Sequence, residues 1–216
     1  MDESWTYLGL STLGDEVAVA TTRPRWNLTV QGRKPRGEWH MTLLGMRREP
    51  RSDLPEWLLR QVAENRGPIG ESPRLTALVD VSEYGAGDLL RRSLARALDR
   101  YPVLRRRVRP VLLAVTERDV VRSGREDGAV LLSRRDLVAP LLEALEAGRL
   151  TAGRNGLTRE FREQMDALRR RSAFQGAEEA PEDLVRAAAL TAWAIDCEGG
   201  GRLRGMGAGE GRISVY

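Results

Sequence analysis

The chain has 216 residues, 41% of them hydrophobic and 31% charged, and it carries a formal net charge of +4. That balance suits one α/β domain with a sizeable core and excludes a disordered chain. The longest uncharged apolar stretch, Ala187 to Ile195, is far short of the roughly 20 residues of a membrane span, so no membrane partner is expected.

Thr6 to Thr12 reads as a first strand, and a tight turn at Leu13-Gly14-Asp15 leads into Glu16 to Thr22, which alternates with period two. Residues 23–37 form a basic loop rich in Gly and Pro, followed by a third strand from Glu38 to Met46. Three strands with short connections predict an antiparallel meander. Ser52 to Val62 is a helix with Ser52 or Asp53 as its N-cap, and residues 64–74 are a loop. A fourth strand, residues 75–81, is apolar at successive positions from Leu75 to Val79, as a strand covered on both faces should be. Gly85-Ala86-Gly87-Asp88 opens a helix running to Arg100, and Val108 to Thr116 is a fifth strand, so a parallel crossover is predicted here. After a polar loop at 117–128, the short run Ala129 to Leu132 precedes three helices at 134–148, 157–172 and 181–196. The Gly-rich segment 199–216 has no periodicity and reads as a flexible tail after one domain, residues 1–198. A meander, two parallel strands with crossover helices and C-terminal helices give a mixed α/β sheet whose plan resembles the ribonuclease H-like fold. The expected sheet is mixed and five-stranded, flanked by helices.

Carboxylates stand at two informative places. Asp80 closes the fourth strand, and Glu182-Asp183 open the last helix after Pro181. In the expected arrangement the first strand is central, the fourth lies beside it, and the last helix packs across both, so these acids converge. Hard oxygen ligands with open water positions suit Mg²⁺ or Mn²⁺. Two such ions about 3.5–4 Å apart activate a water and stabilise the leaving oxygen of a phosphodiester. The same Pro-Glu-Asp start also has a local explanation, since Pro at the first helical position and acids in the first turn suit the helix dipole.

Other chemistries find less support. The single Cys197 excludes a disulfide framework and a Cys-based zinc site, and it has no evident partner base for a thiol nucleophile. The acidic start Met1-Asp2-Glu3 opens no signal peptide, so the chain reads as intracellular and cytoplasmic. Gly85-Ala86-Gly87 is better explained by a tight strand-to-helix turn than by anion binding, and Glu83 beside it reads as solvated. Trp39, Trp57 and Trp193 are expected in the core and His40 in a structural or surface role, which leaves Trp26 as the candidate for stacking on a base. Arginine supplies all but Lys34 of the 35 basic residues. Clusters at Arg33-Lys34-Pro35-Arg36, Arg47-Arg48 with Arg51, Arg105-Arg106-Arg107 with Arg109, and Arg169-Arg170-Arg171 can each grip phosphates or remain solvated.

Four segments in order resemble the nuclease domain of phage terminase large subunits, a member of the ribonuclease H-like superfamily. They are Leu78-Val-Asp-Val-Ser-Glu-Tyr-Gly85; Ser133-Arg-Arg-Asp-Leu-Val138 with Leu145-Glu-Ala-Gly-Arg-Leu150; Leu157-Thr-Arg-Glu-Phe161; and Pro181-Glu-Asp-Leu-Val-Arg-Ala-Ala-Ala-Leu-Thr-Ala-Trp193. The resemblance implies a hydrolase of DNA using Mg²⁺ or Mn²⁺ in a two-metal site, with Asp80 and Asp183 as ligands and Glu182 at the first position of the family's doubled acid. It also implies DNA and a phage packaging protein as partners. The family places an Asp on the first strand, where Gly9-Leu10-Ser11 puts Ser11 instead, and a hydroxyl cannot supply a carboxylate's charge. Asp15, or Glu16 beside it, is the candidate to compensate from across the turn. No Gly-x-x-x-x-Gly-Lys-Ser/Thr phosphate loop occurs, so the likeness is to the nuclease domain without the family's ATPase. Two readings follow: a metal-dependent DNA endonuclease with a degenerate site, or an inactive prophage-derived relative that binds DNA or a packaging partner.

Overall fold

The computed structural model describes residues 6–31, 34–64, 75–82, 86–116, 125–126, 129–155, 158–173 and 182–199. Its eight strands are β1 (Thr6–Leu13), β2 (Glu16–Gln31), β3 (Lys34–Pro50), β4 (Leu75–Asp80), β5 (Val108–Thr116), β6 (Arg125–Glu126), β7 (Ala129–Ser133) and β8 (Leu150–Asn155). They form one sheet in the order β6-β7-β5-β4-β1-β2-β3-β8. β1, β2 and β3 are antiparallel neighbours, while β1–β4 and β4–β5 pair in parallel. The central order β3-β2-β1-β4-β5 with these directions is that of the ribonuclease H-like fold, as the sequence predicts.

Two differences from the expected plan concern the extent of the sheet. The predicted loop at 23–37 instead continues the β2–β3 ribbon, whose pairing runs from Glu16↔Pro50 out to Gln31↔Lys34. Pro24 and Pro35 are tolerated because β1 pairs with β2 only as far as Thr22, and β8 pairs with β3 only from Met41 onward. Beyond those points neither edge is paired among the described residues, and a missing N–H on an unpaired edge is harmless. The sheet also gains β7 parallel to β5, the short β6 antiparallel to β7, and β8 parallel to β3. The reading of Trp26 as a stacking residue, the cluster around Arg33, Glu83 and the tail beyond Gly199 fall outside the residues whose side chains or backbone are described.

Alternation along the strands sorts side chains into two cores. Leu8, Leu10, Val17, Val19, Leu75, Ala77 and Val79 face α1 (Leu54–Glu64), α2 (Ala86–Arg100) and α3 (Pro102–Arg107). Tyr7, Ala18, Ala20 and Leu78 face the other layer, made of α4 (Arg134–Glu146), α5 (Arg159–Ala173) and α6 (Asp183–Gly199). The Ser133 hydroxyl caps α4 by accepting the Asp136 N–H at 3.0 Å. α6 is the most enclosed helix, with Ala187, Ala188, Ala189, Leu190, Thr191 and Ala192 each fully buried. Its small side chains let it lie directly on β1. A Cβ built on Gly9 would stand 1.8 Å from the Ala187 carbonyl oxygen, so only glycine fits there. At the other end of this layer, Trp39 Nε1 donates to Asp196 at 3.1 Å while the Arg149 guanidinium stacks 4.7 Å from the Trp39 ring.

Candidate functional site

The register places the site residues in one line across the sheet. Arg48 on β3 pairs with Ala18 on β2, which pairs with Ser11 on β1. Leu10 pairs with Val79 on β4, so the next step sets Ser11 beside Asp80. Directly opposed residues share a face, and Ala18 belongs to the core beneath α6. The row Arg48–Ala18–Ser11–Asp80 therefore lies on the α6 side, and its charged ends meet α6 near that helix's N-terminus. Ser11 and Asp80 are both buried.

Each acid in this region is held by an arginine. Asp183, with its side chain only 2% exposed, accepts Arg48 Nε on Oδ2 at 2.7 Å and Arg48 Nη2 on Oδ1 at 2.9 Å. Gln164 Nε2 adds a third donor at 2.9 Å, while Gln164 Oε1 accepts the Leu184 and Val185 N–H groups that begin α6. Burial disfavours the charged form of Asp183, but the Arg48 fork and the Gln164 amide outweigh it and hold the carboxyl below the usual carboxylate range. The same pairing raises the Arg48 pKa further above its already high value, with Glu160 bound to the other side of its guanidinium.

Asp80 is fixed from two directions. Its Oδ1 accepts the Ser82 N–H at 2.9 Å and the Ser82 hydroxyl, and Ser82 Oγ in turn accepts the Val115 N–H at 2.6 Å. Its Oδ2 accepts Arg186 Nη1 at 3.3 Å. Asp183 and Arg186 are three residues apart on α6 and so share one helix face. Glu182, just before the helix, pairs with Arg134 at the start of α4. Asp15 stands at the β1–β2 turn, where Gly14 adopts a φ of 59°, and it pairs with Arg51 at 2.9 Å with its side chain 97% exposed.

The structure thus sets Glu182 and Asp183 at the start of α6, links Asp80 to that helix through Arg186, and leaves Asp15 outside at the β1–β2 turn. The candidate metal ligands do not fit a pair of divalent cations. Arg48 and Arg186 already neutralise two of the carboxylates, Arg134 a third, and Ser11 contributes no charge. Among the described residues no three His, Cys, Asp or Glu side chains are grouped to hold a metal. Arg48, Gln164, Glu160 and Arg186 were absent from the sequence-derived site. Arg186 was detectable, since it lies one helical turn beyond Asp183. Arg48 sits two residues past the buried Met46 and so points inward, a position fixed only by the strand register.

The Arg47-Arg48-Arg51 cluster is split among internal partners. Arg47 stacks 5.7 Å from the Trp57 ring on the opposite layer, Arg48 takes Asp183, and Arg51 takes Asp15. The four-arginine cluster ending at Arg109 is different, with Arg105, Arg106 and Arg109 exposed. Cys197 is buried and forms no disulfide, Trp39 and Trp57 are buried as expected, and no helix among the described residues is long and apolar enough to cross a membrane.

No protein-family profile and no curated protein matches this sequence. Two solved structures are similar in outline. One is Thermus thermophilus RuvC, 11% identical, with a TM-score of 0.37 over 90% of this chain and 96% of that one. The other is T. thermophilus RuvC in complex with a Holliday junction substrate, 12% identical, with a TM-score of 0.35 over the same shares. At these values the likeness extends no further than general architecture, and the fold assignment rests on the strand order itself.

Proposed function

We propose that this chain is a ribonuclease H-like domain of terminase-nuclease type in which metal-dependent phosphodiester hydrolysis has been replaced by DNA binding without cleavage. The supporting observation is the pairing of Asp183 with Arg48 and of Asp80 with Arg186. A guanidinium supplies locally the positive charge that a dication would otherwise bring, and it occupies the carboxylate lone pairs a cation would need. Ser11 at the first-strand position removes the remaining ligand. The phage packaging context belongs to the same proposal and rests on the four terminase-like segments alone.

The test is a plasmid-nicking assay in millimolar Mn²⁺, run beside calorimetric titration of Mn²⁺ into the protein. The wild type is expected to leave supercoiled DNA intact and to show no saturable Mn²⁺ heat. The double variant Ser11→Asp with Arg186→Gln restores a third acid and frees Asp80, and it is expected to gain a Mn²⁺-dependent rise in melting temperature. Cleavage by the wild type that disappears in Asp80→Asn would refute the silent site and restore the endonuclease reading.

A further inference from the structure

The arginines nearest the acid row are engaged internally. On the α4–α5–α6 layer Arg48, Arg134 and Arg186 are bound to acids and Arg149 is stacked on Trp39. The opposite layer is different. Residues 86–107 hold seven arginines against two aspartates, a surplus larger than the net charge of +4 on the whole chain. Gly87, Leu90, Leu94 and Ala97 turn inward on α2, so Arg92, Arg96 and Arg100 form the outward ridge, spaced four residues apart. That spacing is about 6 Å along the helix axis. α3 follows at once and exposes Arg105 and Arg106. Arg92 pairs with Asp88 at 2.5 Å. Among the described residues Arg96, Arg100, Arg105 and Arg106 have no acidic partner, and Arg100 lies 5.3 Å from the Tyr101 ring.

We infer that this α2–α3 face binds the phosphate backbone of duplex DNA, on the side of the sheet away from the paired acids. Unpaired guanidinium groups in a row match closely spaced phosphates, and binding of this kind needs charge rather than base contacts. An acidic protein partner fits less well. The exposed large apolar side chains on this face are Leu89 and Val103, each 44% exposed. That is little for the apolar centre of a stable protein interface. The inference rests on the DNA-binding half of the proposed function and is independent of whether the acid row binds cations.

The experiment is fluorescence anisotropy with two labelled 30-base-pair duplexes of unrelated sequence, in EDTA, across a series of salt concentrations. The wild type should bind both alike, with log K falling linearly against log salt. Changing Arg96, Arg100, Arg105 and Arg106 to Gln should weaken binding at least tenfold at low salt and flatten the slope by about 3–4. The control changes Arg159, Arg162, Arg169 and Arg170 on α5 to Gln, which removes the same charge from the other layer and should leave most of the affinity. All four α2–α3 positions are exposed, so the fold should persist. If the fourfold variant melts early, the pairs Arg96/Arg100 and Arg105/Arg106 are read separately. Equal losses in the two fourfold variants would overturn the surface while leaving DNA binding intact. No binding by the wild type at low salt would overturn the DNA reading as well. Equally tight binding to a poly-glutamate chain of matched charge would reassign the face to acidic protein segments.

Discussion

Replacing Arg48 with Met is the sharpest probe of the acid row. The change keeps the apolar stem and removes the fork from Asp183, leaving a carboxylate only 2% exposed with Gln164 as its remaining side-chain donor. Removing one partner of a buried pair costs about 3–5 kcal/mol, and the 20% exposure of the Arg48 side chain points to the lower end, about 3 kcal/mol at neutral pH. Asp183→Asn should cost less, about 1–2 kcal/mol, because Arg48 retains Glu160 and the amide still meets Gln164. The pH dependence gives the sign. In the wild type the folded carboxyl lies below its unfolded value of about 3.9, so its contribution is present above that value and is lost as pH falls through the folded pKa. In Arg48→Met burial dominates and the folded pKa moves above the unfolded one. The variant's penalty is then full at neutral pH and fades as pH falls toward about 4. Urea unfolding of the three proteins at pH 7 and pH 4.5 measures this directly. The wild type-to-Arg48→Met gap should narrow by about 1 kcal/mol at the lower pH. A constant gap, or a larger loss from Asp183→Asn than from Arg48→Met, would refute the account.

Two further outcomes test the packing that places this row. Gly9→Ala should fail to fold or melt far below the wild type in a thermal scan, because its Cβ would meet the Ala187 carbonyl of a helix with no room to retreat. Thr22 and Thr191 hydroxyls bond at 2.9 Å in the core under α6. Thr191→Val strands the Thr22 hydroxyl and should cost about 1–2 kcal/mol in urea unfolding, while Thr22→Val should cost less because the Thr191 hydroxyl keeps the Ala188 carbonyl at 2.8 Å, and the double change should cost clearly less than the sum.

The central order was legible because its signals are local. β1 and β2 flank a Gly-Asp turn, β4 is a continuous apolar run, and the last helix starts with Pro181-Glu182-Asp183. Asp80 and Asp183 were located for the same reason. Their partners were not, because Arg48 is 135 residues from Asp183 and reaches it only through the β2–β3 register, which shifts at Thr21/Thr22. Pro and Gly in 23–37 suggested a loop, yet past Thr22 that part of β2 has lost β1 as a neighbour and a proline there breaks no pairing. β8 has too little apolar alternation to announce itself. It is an edge strand recruited by the exposed side of β3, and its pairing defines it more than its composition.

The row from Arg48 to Asp80 also bears on reversibility. To turn it into a cation site, an acid must appear at Ser11 and a guanidinium must leave Asp80 or Asp183. Either step alone is unfavourable. An acid at Ser11 places a new anion beside Asp80, and losing Arg186 or Arg48 strands a buried carboxylate without its partner. The two substitutions help only together, so single mutations lead downhill in stability before any ligand gain is reached. Selection acting one residue at a time would therefore find no gradient toward a cation site here.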